Sequence, residues 1–413
     1  MSPETTAVHV VRFAPAKLNL TLAVTGRRAD GFHALHSIMV PLTLGDALTV
    51  RIAGSNATCD SLRVSGLPVT SEPDNLVLRA IAGAREAVAI HHERSEAPPA
   101  LLATLLSKRI PVAAGLGGGS SDAAAAIDAA LGAWGVTLPA SALSSLAASL
   151  GSDVPFFQAG CGAVVTGRGE NVEPLPAMAG TVAVLLVTPR QPVSTAAVFR
   201  AFANGYRPSG DRALRLSEEL AAQMRNDPSP RVLLDRARDL ALANDLIPAA
   251  VTTAPGLAGF TATLGRILDR PVCQSGSGPT LWALYATLDE ARGAARAVRQ
   301  AIVDATLPLI GEGEPFVAAT LLAGAVAPGL PEDVPAANAP AGNAPAGNAL
   351  PGPDAARGRE RGHRLRTGRP ATVQNWTNRR PQGGEASEER PHPDTDPGDP
   401  GSDDPESGPR GSS

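Results

Sequence analysis

The chain has 413 residues, of which 43% are hydrophobic and 18% charged, and its formal net charge at pH 7 is −4. A charge so near balance gives no overall indication of binding to nucleic acid or to an anionic membrane, and three widely spaced cysteines predict neither a disulfide framework nor a zinc cluster. Residues 1–12 lack the pattern of a secretory signal, and the longest apolar run, about ten residues, is too short to span a bilayer. We therefore expect a cytoplasmic protein.

The N-terminal half predicts strands mixed with helices. The strands are predicted at residues 8–13, 38–44, 48–52 and 101–110. The helices are predicted at residues 75–89, 120–134 and 139–150. The first helix rests on apolar residues that recur at spacings of three and four, and the third begins at Pro139, a residue suited to a first helical turn. Between strand and helix, residues 111–119 interrupt regular structure.

The C-terminal half predicts few strands and many helices. The strands are predicted at residues 181–187, 280–285 and 316–322. The helices are predicted at residues 194–203, 212–224, 232–243, 248–267 and 288–304. This order favours an α+β fold over alternating βαβ units.

The end of the chain differs in composition. Residues 331–413 contain 14 prolines, 12 glycines and a single aromatic residue, Trp376, which predicts disorder because such a segment buries too little apolar area to offset its ordering entropy. An arginine-rich block at 357–380 is compatible with nucleic acid or an acidic partner, but a solvated, charge-balanced extension that needs neither is the favoured interpretation. We place domains at residues 1–170 and 171–328 and a Pro/Gly/Arg-rich tail, of unknown partner, at 329–413.

The most informative segment is a glycine-rich loop that joins a predicted strand to a predicted helix. Gly115, Gly117, Gly118 and Gly119 fall within five positions. Glycine allows close backbone approach, and a helix N-terminus attracts phosphate. The loop has no Walker-type lysine, and the dinucleotide pattern would need glycine where Ser120 stands. The segment therefore predicts a phosphate site of another type, the alternative being a purely structural turn.

A polyphosphate held by such a loop needs positive charge from elsewhere. The chain has only two lysines, Lys17 and Lys108, and Lys17 is the candidate because a point charge suits this task better than an arginine fork. Phosphoryl transfer to an alcohol also needs a carboxylate near the hydroxyl, and Asp153 is the candidate. Alone, Asp153 would be interpreted as a local cap. Pro155 predicts an extended conformation for Val154.

Taken together, these segments resemble the GHMP kinases. The loop is similar to the second motif of that family, and Ser275–Gly278 to the third. The narrower resemblance is to the branch that phosphorylates a cytidine-diphosphate-linked methylerythritol in the non-mevalonate route to isoprenoid precursors. Its motifs occur in order over residues 10 to 325 as P-A-K-L-N-L (15–20), G-R-R-A-D-G-F-H (26–33), L-G-S-D-V-P-F-F (150–157), V-S-T-A-A-V-F (193–199) and N-D-L-I-P (244–248).

The resemblance implies a two-lobed fold, with an N-terminal lobe like ribosomal protein S5 and a ferredoxin-like C-terminal lobe. It implies ATP as phosphoryl donor with Mg²⁺, and Lys17 and Asp153 as catalytic residues. The residues implied to hold the ATP phosphates are Pro111, Val112, Ala113, Ala114, Gly115, Leu116, Gly117, Gly118, Gly119, Ser120 and Ser121. The residues implied to contact the substrate are Asn19, Phe32, His33, Thr195 and Phe199. The metal ligands stay open, including the choice between Ser120 and Ser121.

Several alternatives stay open at this point. Phe32 stands where many relatives have tyrosine, so one phenolic hydrogen bond is lost. Asn19 is compatible with a turn cap, His33 with a surface turn, and Thr195 and Phe199 with ordinary core packing. Another small-molecule GHMP kinase, for a sugar, homoserine or mevalonate, is the alternative enzyme. A catalytically silent nucleotide-binding scaffold is the alternative outside enzymes.

Overall fold

Two β-sheets organise the part of the chain that the computed structural model describes, which is residues 9–67, 74–91, 99–205 and 211–324. These residues lie within one compact unit, residues 1–340. The predicted tail at 329–413 lies outside the described residues, and the predicted boundary at 170/171 stays a prediction. No helix in the described ranges combines the length and apolar character needed to cross a membrane.

The first sheet has seven strands, and its longest strand pairs with four others. The strands are β1 (His9–Asn19), β2 (Ala23–Arg27), β3 (His33–Ile52), β4 (Ser61–Gly66), β5 (Leu102–Lys108), β6 (Ala163–Gly167) and β7 (Asn171–Pro174). β3 pairs with β1, β2, β5 and β6, always antiparallel, and only the pairing of β4 with β5 is parallel among the described strands.

β3 corrects the predicted strand pair at 38–44 and 48–52, because the two segments form one continuous strand. Gly45 lies within it rather than in a turn, and a Cβ at this position would fall 2.3 Å from the ring of Phe13. The glycine therefore serves the close packing of β1 on β3. β1 shifts its register between Pro15 and Lys17, and this bulge re-aims the side chains that follow.

Four helices accompany this sheet: α1 (Leu76–His91), α2 (Gly118–Trp134), α3 (Ala140–Leu150) and α4 (Val154–Ala159). The alanines of α2 are buried with Ala14, Leu48 and Val50 of the sheet, so small side chains let this helix lie close to the strands. α4 corrects the expectation of an extended Val154, because Pro155 occupies the first turn of a helix, where its missing N–H costs nothing.

The second sheet has four antiparallel strands in the order β11-β8-β10-β9. They are β8 (Ala183–Thr188), β9 (Cys273–Gln274), β10 (Leu281–Tyr285) and β11 (Phe316–Leu321). The helices are α5 (Thr195–Gly205), α6 (Arg212–Asn226), α7 (Pro230–Asp235), α8 (Ala237–Leu240), α9 (Ile247–Thr253), α10 (Gly256–Leu268) and α11 (Leu288–Val303). Two predicted helices, 232–243 and 248–267, are thus each divided in two.

β8 shows how the two sheets share a core. All six of its residues are buried. Val184 and Leu186 pack in one cluster with Leu18 and Ile38 of the first sheet. Ala183, Leu185 and Val187 belong to a second cluster, formed largely with the C-terminal helices. Because side chains alternate along a strand, each face of β8 buries a different core, and the predicted α+β class is confirmed.

Candidate active site

A cavity of about 920 Å³ collects most of the predicted site residues. Both lysines of the chain line it. The other predicted residues that line it are Asn19, Phe32, His33, Pro111, Val112, Ala113, Ala114, Gly115, Gly117, Gly118, Gly119, Ser120, Asp153, Thr195 and Phe199. Leu116 and Ser121, which are both buried, do not line it. The structure therefore brings together residues that are far apart in the sequence.

Lys17 and Asp153 meet in this cavity. The ammonium of Lys17 lies 3.5 Å from a carboxylate oxygen of Asp153, and it donates a 2.6 Å hydrogen bond to the side-chain oxygen of Asn19. The lysine side chain is 6% exposed and the aspartate side chain 35%. A buried cation beside a partly exposed carboxylate is the arrangement expected where negative charge develops on a transferred group.

A chain of hydrogen bonds fixes the amide of Asn19. Its Nδ2 donates to the hydroxyl of Ser37 at 2.8 Å, and that hydroxyl donates to the carbonyl of Thr21 at 2.5 Å. Lys17 and Asn19 stand two apart on β1, so both side chains face the same side of the strand. Asn19 is therefore oriented with its oxygen toward the lysine, which is not the role of a turn cap.

Asp153 stands at the N-cap position of α4, but its side chain makes no capping hydrogen bond. The alternative interpretation as a local cap is therefore wrong. The carboxylate instead faces the cavity with Lys17 beside it, and its oxygens remain available to an incoming hydroxyl.

The phosphate loop, residues 111–121, ends in the first turn of α2. Gly117 caps this helix with φ +71°, and a Cβ there would lie 2.9 Å from the side chain of Lys17. The first helical bond runs from the amide of Ser121 to Gly117, so the amides of Gly118, Gly119 and Ser120 have no partner within the helix. The start of α2, two residues earlier than predicted, thus presents amides suited to phosphate.

Lys108 lies beneath this loop and was missed as a site residue. It contacts Asp46 at 2.5 Å and Asp122 at 2.7 Å, and we call these three side chains the Lys108 cluster. All are buried. Burial, and then repulsion by Asp46, raise the pKa of Asp122 to about 7 against the pull of Lys108. Burial opposes the charge of Lys108, but the two carboxylates outweigh it and raise the pKa of this ammonium.

The outer part of the cavity is aromatic. The ring of His33 stacks on Phe199 at 5.3 Å between centroids with 25° between planes. The ring of Phe32 is covered on one side by the guanidinium of Arg168 at 5.5 Å, and Phe32 is 53% exposed. Partial burial and the nearby charge of Arg27 lower the pKa of His33, which favours the neutral imidazole. Flat, neutral rings of this kind suit a planar base.

Thr195 and Phe199 lie on the first turns of α5, where they serve two purposes. Phe199 packs partly against the C-terminal core, which agrees with the core-packing alternative, and it also lines the cavity. The hydroxyl of Thr195 lies 3.0 Å from that of Ser277. Ser277 also lines the cavity. The glycines on both sides of Ser277 were the sequence signal that could have identified it as a site residue. The sequence alone did not show which residues this turn contacts.

Comparisons with known proteins agree with this geometry. The model of the GHMP kinases N terminal domain matches residues 75–161, which include the phosphate loop and Asp153. The fold is similar to that of the crystal structure of Methanococcus jannaschii mevalonate kinase, with a TM-score of 0.53 at 11% identity over 78% of this chain and 100% of that one. Fold and site together define a GHMP kinase, and the chain is an ATP-dependent phosphotransferase.

A narrower likeness identifies the family. The 4-diphosphocytidyl-2-C-methyl-D-erythritol kinase of Granulibacter bethesdensis is 40% identical over 291 residues, which cover 69% of this chain and 88% of the relative. A crystal structure of 4-(cytidine 5'-diphospho)-2C-methyl-D-erythritol kinase has a TM-score of 0.54 at 32% identity, covering 76% of this chain and 100% of that one. The chain belongs to the 4-diphosphocytidyl-2-C-methyl-D-erythritol kinase family.

Proposed function

We propose that the cavity transfers the γ-phosphoryl group of ATP to the 2-hydroxyl of 4-(cytidine 5'-diphospho)-2-C-methyl-D-erythritol, with Lys17 and Asp153 as the catalytic residues. The single observation that carries the assignment is the 3.5 Å approach of these two side chains within the cavity that the phosphate loop lines. The names of the relatives supply the substrate.

Asp153 orients the hydroxyl and accepts its proton as transfer proceeds. A loose transition state with late proton transfer needs only a weak base, so a carboxylate can serve. Lys17 offsets the negative charge that develops on the transferred group. Asn19 supports this role because its oxygen holds the ammonium in place at 2.6 Å, so the charge is positioned before the substrate arrives.

The phosphate loop binds the triphosphate through backbone amides at the start of α2. Its positive φ values, +76° at Gly115 and +71° at Gly117, explain why glycine stands at these positions. A side chain at Gly115 would also meet the carbonyl of Ser275 at 2.6 Å. Leu116 contributes through its backbone, since its carbonyl accepts a 2.9 Å hydrogen bond from the amide of Lys17 and so joins the loop to β1.

Mg²⁺ fits this site as the companion of ATP. The described residues contain no cluster of three acidic, histidine or cysteine side chains that would hold a metal alone, but Mg²⁺ in such sites needs only one or two carboxylates besides the phosphates. One oxygen of Asp122 is buried without a hydrogen-bond partner among the described residues, and Asp122 lines the cavity. We propose that Asp122 would hold the metal, which would supply positive charge to the phosphates of ATP. Ser120 also lines the cavity, but side chains two positions apart on a helix do not face each other.

The aromatic part of the cavity is proposed to bind the cytidine end of the substrate. His33 and Phe199 provide ring faces, Phe32 lies at the exposed rim, and Thr195 provides a hydroxyl. A neutral His33 both donates and accepts one hydrogen bond, as recognition of a cytosine edge requires. This end is what distinguishes the proposed substrate from a sugar, homoserine or mevalonate.

A substrate panel tests the proposal. The full chain, with ATP and magnesium, is assayed for ADP release with the cytidine-diphosphate polyol, galactose, homoserine and mevalonate, and nucleotide binding is measured separately. We expect turnover with the cytidine-diphosphate polyol alone. Faster turnover with another alcohol would assign a different GHMP kinase activity, and nucleotide binding without any turnover would favour the scaffold alternative.

A further inference from the structure

The motif N-D-L-I-P at residues 244–248 has no part in the chemistry described so far, although its first residue is buried behind the cavity. Asn244 lies between α8 and α9 and is 7% exposed. The cavity lining includes Leu246 and Gly276 but not Asn244. Any effect of Asn244 on the reaction must therefore pass through another residue.

We propose that Asn244 is a positioning residue, which holds the serine–glycine turn, Ser275–Gly278, in the place where it supports Lys17 and Asn19. The side-chain amide of Asn244 donates to the carbonyls of Gln274 at 3.1 Å and Gly276 at 2.9 Å. Its oxygen accepts from the amide of Leu246 at 2.9 Å. One planar side chain thus holds a carbonyl of the turn, the carbonyl of the residue just before the turn, and one amide of its own segment.

Residues 243–245 are hydrogen-bonded to residues of the first sheet and the connection before β2, so the backbone that carries Asn244 is held in place. The amide of Leu22 donates to the carbonyl of Ala243 at 2.7 Å, and the amide of Asp245 donates back to Leu22 at 2.9 Å. The carboxylate of Asp245 accepts from the amide of Val24 at 2.9 Å. These bonds join residues 243–245 to Leu22 and to the start of β2, only a few residues beyond Lys17 and Asn19.

The serine–glycine turn lies against Lys17 and Asn19. Gly276 has φ +57°, and a Cβ there would lie 3.0 Å from the oxygen of Asn19 and 3.7 Å from the ammonium of Lys17. The hydroxyl of Ser275 accepts from the amide of Asn19 at 3.3 Å and donates to the carbonyl of Gly115 at 3.0 Å. A shift of this turn would therefore move the lysine, its partner and the phosphate loop relative to one another.

Asparagine is the side chain that this position requires. It supplies two N–H donors and one acceptor from one rigid group. Aspartate has the same shape but, when ionised, only acceptors, so it would oppose the two carbonyls. Protonated aspartate regains one O–H donor. The substitution Asn244→Asp therefore removes both donated hydrogen bonds at high pH and can restore one of them at low pH. If Asn244 only filled space, the effect of the substitution would not depend on pH in this way.

The experiment compares Asn244→Asp with Asn226→Asp, the same substitution at an exposed residue on α6. For Asn244→Asp we expect kcat to fall roughly tenfold to hundredfold at pH 8, because small misplacements of reacting groups cost this much, while the Kd for ATP changes little. The ratio of wild-type to variant kcat should shrink at pH 6. The neighbouring carboxyl of Asp245 and the ammonium of Lys17, which lies on the other side of Gly276, are present in both proteins, so the ratio removes their contribution.

The inference rests on the proposed function, and the outcomes separate the two. An inactive wild-type chain would contradict the proposed function. An active wild type with a near-normal Asn244→Asp variant, or with equal losses in kcat and ATP affinity that do not depend on pH, would overturn the positioning role. If Asn244→Asp does not fold, Asn244→Ser, which keeps one donor and adds no charge, is used with the same expected split between kcat and the Kd for ATP.

Discussion

The two lysines of the chain border the same cavity in opposite electrostatic settings. Lys17 has a neutral amide at 2.6 Å and one carboxylate, itself 35% exposed, at 3.5 Å. Lys108 has two buried carboxylates within 2.7 Å. The charge of Lys108 is already more than balanced inside the protein, whereas Lys17 has one partly exposed carboxylate beside it. Under the proposed function, this difference in the number and burial of neighbouring carboxylates assigns Lys17 to the reaction and Lys108 to the structure.

The largest effect that sharpens this contrast is expected for Lys17→Arg. The ammonium lies in a confined place, with Asn19 at 2.6 Å and with Gly117 and Gly276 close enough that a Cβ on either would approach the lysine. A planar fork does not replace a point charge there. We expect kcat to fall by about 10²-fold or more, with the Kd for ATP nearly unchanged and the unfolding midpoint lowered modestly by the larger side chain. Near-normal kcat in steady-state assays would show that charge alone suffices.

Lys108→Met should act on stability instead. Removing the cation leaves Asp46 and Asp122 buried without their partner, and breaking a buried pair in this way costs about 3–5 kcal/mol. Lys17→Met, which leaves one partly exposed carboxylate and the neutral oxygen of Asn19 without their partner, is the matched control and should lose less. Urea unfolding of both variants measures the difference. Equal losses of unfolding free energy would remove the distinction drawn between the two lysines.

The pH dependence of stability offers a subtler test of the Lys108 cluster. The pKa of Asp122 is raised from 3.8 to about 7, so between about pH 4 and pH 7 the native state keeps a proton that the unfolded state has released. Stability from this group therefore falls as pH rises through that window and is constant outside it. The variant Asp122→Asn lacks this titratable group and therefore serves as the reference. The wild type should lose stability relative to Asp122→Asn between pH 5 and pH 8, measured by urea unfolding, and a pH-independent difference would contradict this assignment.

The smallest effect is expected at the aromatic rim. Phe32→Tyr adds a phenolic hydroxyl to a ring that is 53% exposed and has Arg168 over one face. One added hydrogen bond at an exposed site is worth about 1 kcal/mol or less. We expect the KM for the cytidine-diphosphate polyol to fall by up to about fivefold, with kcat unchanged. Leu309→Ala, an exposed substitution away from the cavity, is the control, and a changed kcat would place Phe32 nearer the reacting atoms.

The sequence predicted the features whose signals are local. The glycine spacing at 115–119 indicated a phosphate loop, and the structure places it at the start of α2, where positive φ values require glycine. Lys17 and Asp153 were predicted because phosphoryl transfer beside a lysine-free loop needs a positive charge and a carboxylate, and the motifs of the resemblance then implied their catalytic roles. Helix periodicity predicted most helices to within a few residues, because the apolar residues of one helix face recur at spacings of three and four in the sequence.

What the sequence did not reveal depends on contacts between distant segments. The Lys108 cluster joins residues 62 and 14 positions apart, and no spacing rule connects them. The serine–glycine turn meets Asn19 across 256 residues, so its role in supporting the lysine emerges only in three dimensions. β2, β4, β6, β7 and β9 were missed because strands of two to six residues carry little periodicity. α4 was missed because Pro155 was interpreted as favouring an extended Val154 rather than as a first-turn residue.

A double-mutant cycle on Lys17 and Asp153 tests the central claim most directly, because the claim is that the two side chains act as one unit on the transferred phosphoryl group. Single-turnover transfer to the cytidine-diphosphate polyol is measured for wild type, Lys17→Arg, Asp153→Asn and the double variant, with ATP saturating. We expect Asp153→Asn alone to slow transfer by about 10²–10⁴-fold and the double variant to be little slower than the slower single variant. Losses that multiply in the double variant would mean that the two residues act independently and would contradict the account.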